Sequence, residues 1–388
     1  MRQHDDCGCG DKGPGLERLI ALAREQDLPT VAVKPARLAA SVKGRVKWAL
    51  VNRAGATARE GSGPNLILDQ GLDQIATQIL VQQRQTLQAP TGGTYFSIIR
   101  YAAVGTNSAA PTVSQTALGA EADRTDATYA SETLTRTAPG VYELTRFIEF
   151  DYAEGNGNLA EWGFSFDGTG PGLLFNRALF LDGGGDPEIV TKTSDFKLRL
   201  AYTLEIALSP VTLTSGMFSV TGVGTVNGTY ALIGGTAPAG PGTRCGAPDL
   251  KGFSALARGA LGTTIGLSQT PAIGGLRADG TDRSTVEYTD NLSVNVDTTT
   301  MIAARDILER DAYTPGSFER TGGVWKFETQ YGNLNPVRAL IINGAAESYS
   351  STCNRAGYVF AFALESEFGK DDEHTLTIGV PTVSWGRA

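Results

Sequence analysis

The stretch SDFKLRLAYTLEIAL, Ser194–Leu208, decides the fold class of this chain. Large apolar residues occupy every second position over seven consecutive repeats: Phe196, Leu198, Leu200, Tyr202, Leu204, Ile206 and Leu208. A period of two places all seven on one face of a β-strand, with the other face toward solvent. We therefore predict a long antiparallel strand here, because antiparallel sheets are those that present one face to water.

The same period recurs along most of the chain after residue 90. Tyr142, Leu144, Ile148 and Phe150 share a face that is interrupted by Arg146. Hairpin-type turn dipeptides separate such segments: Asp167-Gly168, Asp182-Gly183, Asn227-Gly228, Asp279-Gly280 and Asn343-Gly344. The pattern predicts a mainly β protein built of two tandem antiparallel β-sandwich-like domains, with a short N-terminal arm and one or two helices.

Composition narrows the function classes. The chain has 388 residues, 48 of them Gly and only two His, and a formal net charge of −8. The charge leaves no basic stripe for a nucleic acid, and the scarcity of His disfavours His-centred catalysis. The longest apolar stretches, such as Tyr358–Leu364, are too short to cross a bilayer, and the N-terminus lacks the apolar core of a signal peptide. We expect that the protein neither binds nucleic acid nor inserts into a membrane. We also expect that it is synthesised in the cytosol.

Three segments follow from this reading. Residues 1–40 are predicted to form an N-terminal arm with a short helix over 14–27. Residues 41–210 form the first sandwich and include a helix over 71–88, where apolar residues recur at helical spacing opposite a Gln-rich face. Residues 211–388 form the second sandwich, and its Gly-rich beginning up to residue 275 is interpreted as a linker plus the first strands.

A faint internal repeat relates the two predicted sandwiches. GLLFNRAL, Gly172–Leu179, aligns without gaps to GYVFAFAL, Gly357–Leu364, with Gly, Phe, Ala and Leu shared. One interpretation is that the second domain is a diverged repeat of the first. The other is that two sandwich strands resemble each other at this level of identity without common origin.

No arrangement of residues indicates a catalytic, cofactor or metal site. His4, Cys7 and Cys9 form H-x-x-C-x-C, which has the ligand types of a zinc site but three positions instead of four. Asp182 and Asp186 flank three glycines in a predicted hairpin tip without the alternating acidic ligands of a calcium loop. The acidic run Asp371-Asp372-Glu373 is predicted to be solvated. We expect no cofactor and no enzymatic activity.

Two segments carry the most specific motifs: VKGRVKWALVNRAGATAREGSGPNLILDQGLDQIA, Val42–Ala76, and YAAVGTNSAAPTVSQTALGAE, Tyr101–Glu121. The motif residues are Asn65-Leu66-Ile67, Gly71-Leu72-Asp73, Val104-Gly105-Thr106, Ala110-Pro111, Thr116-Ala117-Leu118, Glu121, Ala160–Phe164, Leu174–Leu179 and Thr191–Asp195. In this order they resemble the N-terminal part of tailed-bacteriophage virion proteins of the tail, fibre and baseplate type. The resemblance covers about residues 42–208, and the ending HTLTIGVPTVSWGR, His374–Arg387, is similar to strand endings in such proteins.

The resemblance implies a structural virion protein that assembles in the host cytoplasm. Its expected partners are other virion proteins and further copies of itself, with a host surface receptor or glycan as an additional partner. The alternative is a carbohydrate-binding or polysaccharide-depolymerising protein. That activity needs exposed aromatics and positioned carboxylates, for which Glu149, Asp151 and Glu154 are the cluster to test. The candidate aromatics are Trp48, Trp162, Trp325 and Trp385, although Trp48 and Trp325 stand at strand positions that favour core packing.

Overall fold

The computed structural model describes residues 36–78, 80, 97–138, 140–211, 214–220, 223–232, 248–259, 264–268, 301–303, 308–309, 311–327, 334–343, 358–370, 376–379 and 381–388. The predicted N-terminal arm, apart from residues 36–40, and its helix over 14–27 lie outside these residues. All statements below concern the described residues.

The molecule is mainly β, as the sequence predicts. The strands are β1 Arg37–Asn52, β2 Thr57–Pro64, β3 Leu66–Ile67, β4 Tyr101–Gly105, β5 Glu121–Thr125, β6 Thr133–Ala138, β7 Val141–Phe150, β8 Gly157–Leu159, β9 Glu161–Ser165, β10 Leu174–Leu179, β11 Val190–Lys192, β12 Phe196–Ser209, β13 Thr214–Val220, β14 Gly224–Leu232, β15 Thr264–Ser268, β16 Met301–Ala303, β17 Leu308–Glu309, β18 Glu319–Arg320, β19 Val324–Phe327, β20 Leu334–Asn343, β21 Tyr358–Lys370, β22 Leu376–Gly379 and β23 Thr382–Arg387. The helices are α1 Asp69–Ile75 and α2 Pro248–Arg258, with a 3₁₀ turn at Ser97–Ile99. Neither described helix has the length and apolar character to span a membrane.

The stretch Ser194–Leu208 contains most of β12, which lies in the middle of a seven-stranded sheet. β12 pairs antiparallel with β1 on one side and with β7 on the other. The sheet order is β18-β23-β1-β12-β7-β6, with β2 also paired to β1. Six of the seven predicted apolar positions of β12 are buried and Phe196 is half-buried, so the predicted inward face is confirmed. This face gives the sheet its contact with the core.

The C-terminal strand lies beside the first described strand. β23 lies parallel to β1, with Ala40 opposite Trp385, and β18 pairs with β23. Strands from 214–379 other than β18 form a separate nine-stranded sheet, in the order β16-β15-β20-β21-β14-β13-β22-β19-β17. Most strands before residue 210 and most strands after it thus belong to different sheets, whereas β18 and β23 join the sheet of β1. The domain boundary at 210/211 stays a prediction.

A five-stranded sheet, in the order β3-β10-β9-β4-β5, faces the core from the other side of β12. The Phe164 ring of β9 stacks on the Tyr202 ring of β12, with centroids 4.5 Å apart and planes inclined by 22°. Trp162 meets the same tyrosine edge-on at 5.9 Å. These buried rings belong to one apolar cluster to which both sheets contribute.

The predicted helix over 71–88 is present at residues 71–75, while residue 79 and residues 81–88 lie outside the described part of the chain. α1 begins at Asp69 and ends at Ile75, and Ala76–Gln78 form turns. The amides of Ala76 and Thr77 donate to carbonyls only three residues back, at 3.1 Å each, and the Thr77 hydroxyl also reaches the Gln74 carbonyl. The Gln78 amide donates to the Gln74 carbonyl four residues back, at 2.7 Å, so α1 ends in a last turn that mixes both bond types. α2 was missed, because its segment was interpreted as linker and strands.

Close packing of α1 against β10 explains why the Gly71-Leu72-Asp73 motif begins with glycine. Gly71 lies in α1 where the helix crosses β10, and the Leu68 amide donates to the Phe175 carbonyl at 3.0 Å. A Cβ on Gly71 would stand 1.9 Å from that same carbonyl oxygen. The backbones therefore approach too closely for any other residue.

We expect Gly71→Ala to lower the free energy of unfolding by about 1–3 kcal/mol, because the helix must move away from the strand. Gly183→Ala is the matched control, since a Cβ there meets nothing within 4 Å, and its effect should stay within about 0.5 kcal/mol. Urea unfolding of both variants measures the difference. Equal stability of the two variants would contradict the close approach.

Candidate functional site

The motif segments that carry the phage resemblance fold into one region. Asn65-Leu66-Ile67 includes β3, Gly71-Leu72-Asp73 lies in α1, and Ala160–Phe164 includes most of β9. Leu174–Leu179 is β10, and Val104-Gly105-Thr106 ends β4. The motifs thus build the five-stranded sheet and the helix packed on it.

A completely buried ion pair joins two of these motifs. The Arg177 Nε of β10 donates to the Glu161 Oε2 of β9 at 2.6 Å, and both side chains have no exposed surface. Removing two charges from water is expensive, and their attraction offsets that cost only if the remaining donors and acceptors are also satisfied. Their partners are therefore informative.

The carboxylate of Glu161 accepts backbone amides from both ends of one loop. Its Oε1 accepts from Ala120 N at 2.9 Å and from Asn107 N at 3.3 Å. Its Oε2 accepts from Gly119 N at 3.1 Å. The loop between β4 and β5 is thereby closed onto one carboxylate.

The guanidinium of Arg177 holds the middle of the same loop. Its Nη1 donates to Gln115 Oε1 and its Nη2 to the Ala109 carbonyl, each at 2.9 Å. We call residues 106–120 the anchored loop. The ion pair thus fixes the beginning, middle and end of a segment without regular secondary structure.

The anchored loop exposes an apolar side chain next to α1. Val113 is 40% exposed, and its carbonyl accepts the Asp69 amide at 2.8 Å. A second apolar side chain, Leu173, is 41% exposed and precedes β10. The carbonyl of Leu173 accepts from Gln74 Nε2 of α1 at 2.9 Å. Val113 and Leu173 therefore stand on two segments that are bonded to the same helix.

Leu173 also has an unusual backbone. Its φ is +53°, in the left-handed region that costs a leucine about 1–2 kcal/mol. The Ser165 hydroxyl donates to its carbonyl at 2.8 Å and helps hold this conformation. An exposed apolar side chain on a strained and hydrogen-bonded backbone is a feature typical of functional surfaces. We call Val113 and Leu173 together with the anchored loop the loop surface.

The carboxylate cluster singled out in the sequence lies elsewhere, on the outer face of the seven-stranded sheet that contains β7 and β12. Glu149 accepts from Lys197 Nζ at 2.6 Å and from Arg199 Nε at 2.8 Å. Asp151 is exposed and pairs with Lys197 at 3.1 Å, while Glu154 accepts the Asp151 amide. Burial alone would raise the pKa of Glu149, but the hydrogen bonds and charges of Lys197 and Arg199 outweigh it and lower that pKa.

The described tryptophans are core residues. Trp48, Trp162 and Trp385 are at most 4% exposed, which confirms the core prediction for Trp48. Each indole N–H donates to a main-chain carbonyl: those of Leu181, Leu179 and Leu72, respectively. The side chain of Trp325 lies outside the described residues. None of the three described rings is placed to stack on a sugar.

The other candidates from the sequence give no ligand site. His4, Cys7, Cys9 and the run Asp371–Glu373 lie outside the described residues. Asp182 Oδ1 accepts the amides of Gly184 and Asp186 at 2.8 and 3.0 Å, so this carboxylate closes its own turn. Where the structure describes the chain, no cluster of three or more His, Cys, Asp or Glu could hold a metal ion.

Sequence reasoning missed the roles of the buried charges. Glu161 and Arg177 were quoted inside motifs but received no function, and Arg146 was noted only as an interruption. Arg146 is buried and ion-paired to Glu132, and burial lowers the pKa of its guanidinium to about 10, which keeps it charged at neutral pH. The available signal was a charged residue within an otherwise apolar strand face. That signal does not identify the partner.

Comparison with known proteins adds no relative. No family model matches the chain, and no curated protein and no solved structure matches it.

We expect Arg177→Met to lower the free energy of unfolding by about 3–5 kcal/mol, because it leaves the Glu161 carboxylate buried without its counter-charge. The amides of Asn107, Gly119 and Ala120 should exchange faster with deuterium. The control is Arg37→Met, whose ion pair with Glu319 is exposed and should contribute less than about 1 kcal/mol. Unchanged exchange in the anchored loop would contradict the role of the pair.

The lowered pKa of Glu149 makes a pH-dependent contribution to stability. The carboxylate stabilises the folded state above its ordinary pKa, and this is lost as pH falls through the lower folded-state value. Glu149→Gln should therefore destabilise the protein at pH 7, with the deficit shrinking on acidification below roughly pH 4. Urea unfolding at several pH values measures this, with the exposed Glu60→Gln as control. A deficit that stays constant with pH would contradict the pairing.

Proposed function

We propose that this chain is a structural component of a tailed-bacteriophage particle, a tail, baseplate, neck or fibre protein that acts by assembly. The proposal combines the motif resemblance with one observation: the buried Glu161–Arg177 pair fixes the anchored loop at Asn107, Ala109, Gln115 and Gly119–Ala120. The loop surface is the part of the molecule that meets a neighbouring virion protein.

The buried Glu161–Arg177 pair is suited to selecting one loop conformation. Such a pair contributes little net stability compared with apolar packing, and a buried polar group can instead select one conformation. Here both charged side chains form their remaining hydrogen bonds with one irregular loop. Loops of this length without secondary structure are usually functional, and a preorganised loop loses less entropy on binding. The arrangement suits repeated, identical contacts in a particle.

In this proposal the protein binds and builds but does not catalyse. It is located in the virion after assembly in the host cytoplasm, and the N-terminal arm over residues 1–40 docks on a neighbouring protein. Copies of the chain contact one another, and a host receptor or glycan is a further partner of the assembled particle.

The carbohydrate hypothesis receives no support from its own candidate cluster. Both oxygens of the Glu149 carboxylate accept hydrogen bonds from charged side chains, one from Lys197 and the other from Arg199. Asp151 forms an ion pair with the same lysine. The described tryptophans are buried. We therefore retain a single proposed function.

The test is the protein composition of purified particles of the phage that encodes the chain. Mass spectrometry should find it at a fixed copy number per particle, and its absence from particles would overturn the proposal. Replacing Val113 and Leu173 together by Asp should deplete it from particles, because charges would replace the apolar contacts. Val223→Asp is the matched control, since Val223 is 48% exposed but lies at the nine-stranded sheet. Equal depletion by the control would contradict the loop surface as the contact.

A further inference from the structure

The strand β6 forms an end of the seven-stranded sheet. Within the described residues its strand partner is β7, so its other side presents backbone N–H and C=O groups without a ladder. Proteins usually protect such edges with charges, proline or a covering segment. The β6 sequence, TLTRTA, holds one charge and no proline, and the side chains of Thr133, Thr135 and Thr137 are exposed.

The end strand of the other sheet differs. β5 has the sequence EADRT, and three of its five residues are charged. Arg124 donates to both carboxylate oxygens of Glu121 and also to the Asp167 carbonyl, so this edge carries several fixed charges where β6 carries one. Of these two edges, β6 is the one that fits strand addition.

The sequence around β6 is complementary to itself in an antiparallel register. With Leu134 opposite Leu134 of a second copy, Thr133 lies opposite Thr135 and Arg136 lies opposite Glu132. Thr–Thr and opposite-charge pairs are favourable cross-strand neighbours, whereas a register centred on Arg136 would set two like charges against each other. A two-fold axis at Leu134 satisfies all five positions.

The existing contacts of these residues fit this register. Leu134 is half-buried and packs against the core, so a second Leu134 would cover its remaining surface. Glu132 is already ion-paired to the buried Arg146. The Glu132 side chain is 6% exposed, so Arg136 of a second copy would approach the exposed edge of this ion pair. The inner face would thus continue across the junction.

We propose that β6 pairs antiparallel with β6 of a second copy, centred on Leu134, so that two seven-stranded sheets become one continuous sheet. The contact is isologous, as two-fold dimers require. It deepens the proposed function, since it names a contact between copies on which assembly rests, but it is tested on the purified full chain alone.

Sedimentation velocity over a concentration series tests the contact. The wild-type chain should form dimers, and Arg136→Glu should raise the dissociation constant at least about tenfold, because a carboxylate then faces Glu132. Ala122→Glu is the matched control, since Ala122 is exposed on the end strand β5, and it should leave dimerisation unchanged. A monomeric wild type up to about 100 μM, well above typical dimer affinities, or an unchanged Arg136→Glu dimer, overturns the proposal.

Cross-linking tests the register independently of affinity. In a background with the four native cysteines changed to Ser, Leu134→Cys should form a disulfide-linked dimer on mild oxidation, because directly opposed residues lie at disulfide distance. Ala122→Cys should not, and the reverse result overturns the proposal. A β6 dimer of a chain that is absent from particles would leave this inference standing and overturn the proposed function. A monomer that is present in particles would do the opposite.

Discussion

The buried ion pair between Glu161 and Arg177 is the interaction on which the rest of the site depends. It joins neighbouring strands β9 and β10 with no exposed surface on either side chain. Three backbone amides, one side-chain amide and one carbonyl complete its hydrogen bonding. All five belong to the anchored loop. The desolvation of the two charges is therefore offset by hydrogen bonds that hold the loop in one conformation.

A second constraint ties the C-terminal strand to the same region. β23 lies parallel to β1, and the Trp385 indole donates to the Leu72 carbonyl of α1 at 2.8 Å. Arg387 Nη2 reaches the Asp69 carboxylate at 2.5 Å. The helix that supports both segments of the loop surface is therefore held from the C-terminal strand as well. This explains how so short a helix keeps its position.

The sequence predicted features that depend on local pattern. The inward face of β12 and the core position of Trp48 followed from period-two alternation and from aromatic burial. Pairings between distant residues could not be predicted in this way: Arg177 finds Gln115, and Trp385 finds Leu72, only after the sheets have formed. The apolar period over 71–88 predicted helical residues at 71–75, but it did not show that the regular helix ends at Ile75, where the amides of Ala76 and Thr77 donate to carbonyls three residues back.

The central claim is that the loop surface, fixed by the ion pair, is buried against a neighbour in the particle. Hydroxyl-radical footprinting of Val113 and Leu173 tests it most directly, because both side chains are exposed in the isolated chain. We expect strong labelling of both residues in the purified protein and protection of both in intact particles. Equal labelling in the two states would contradict it.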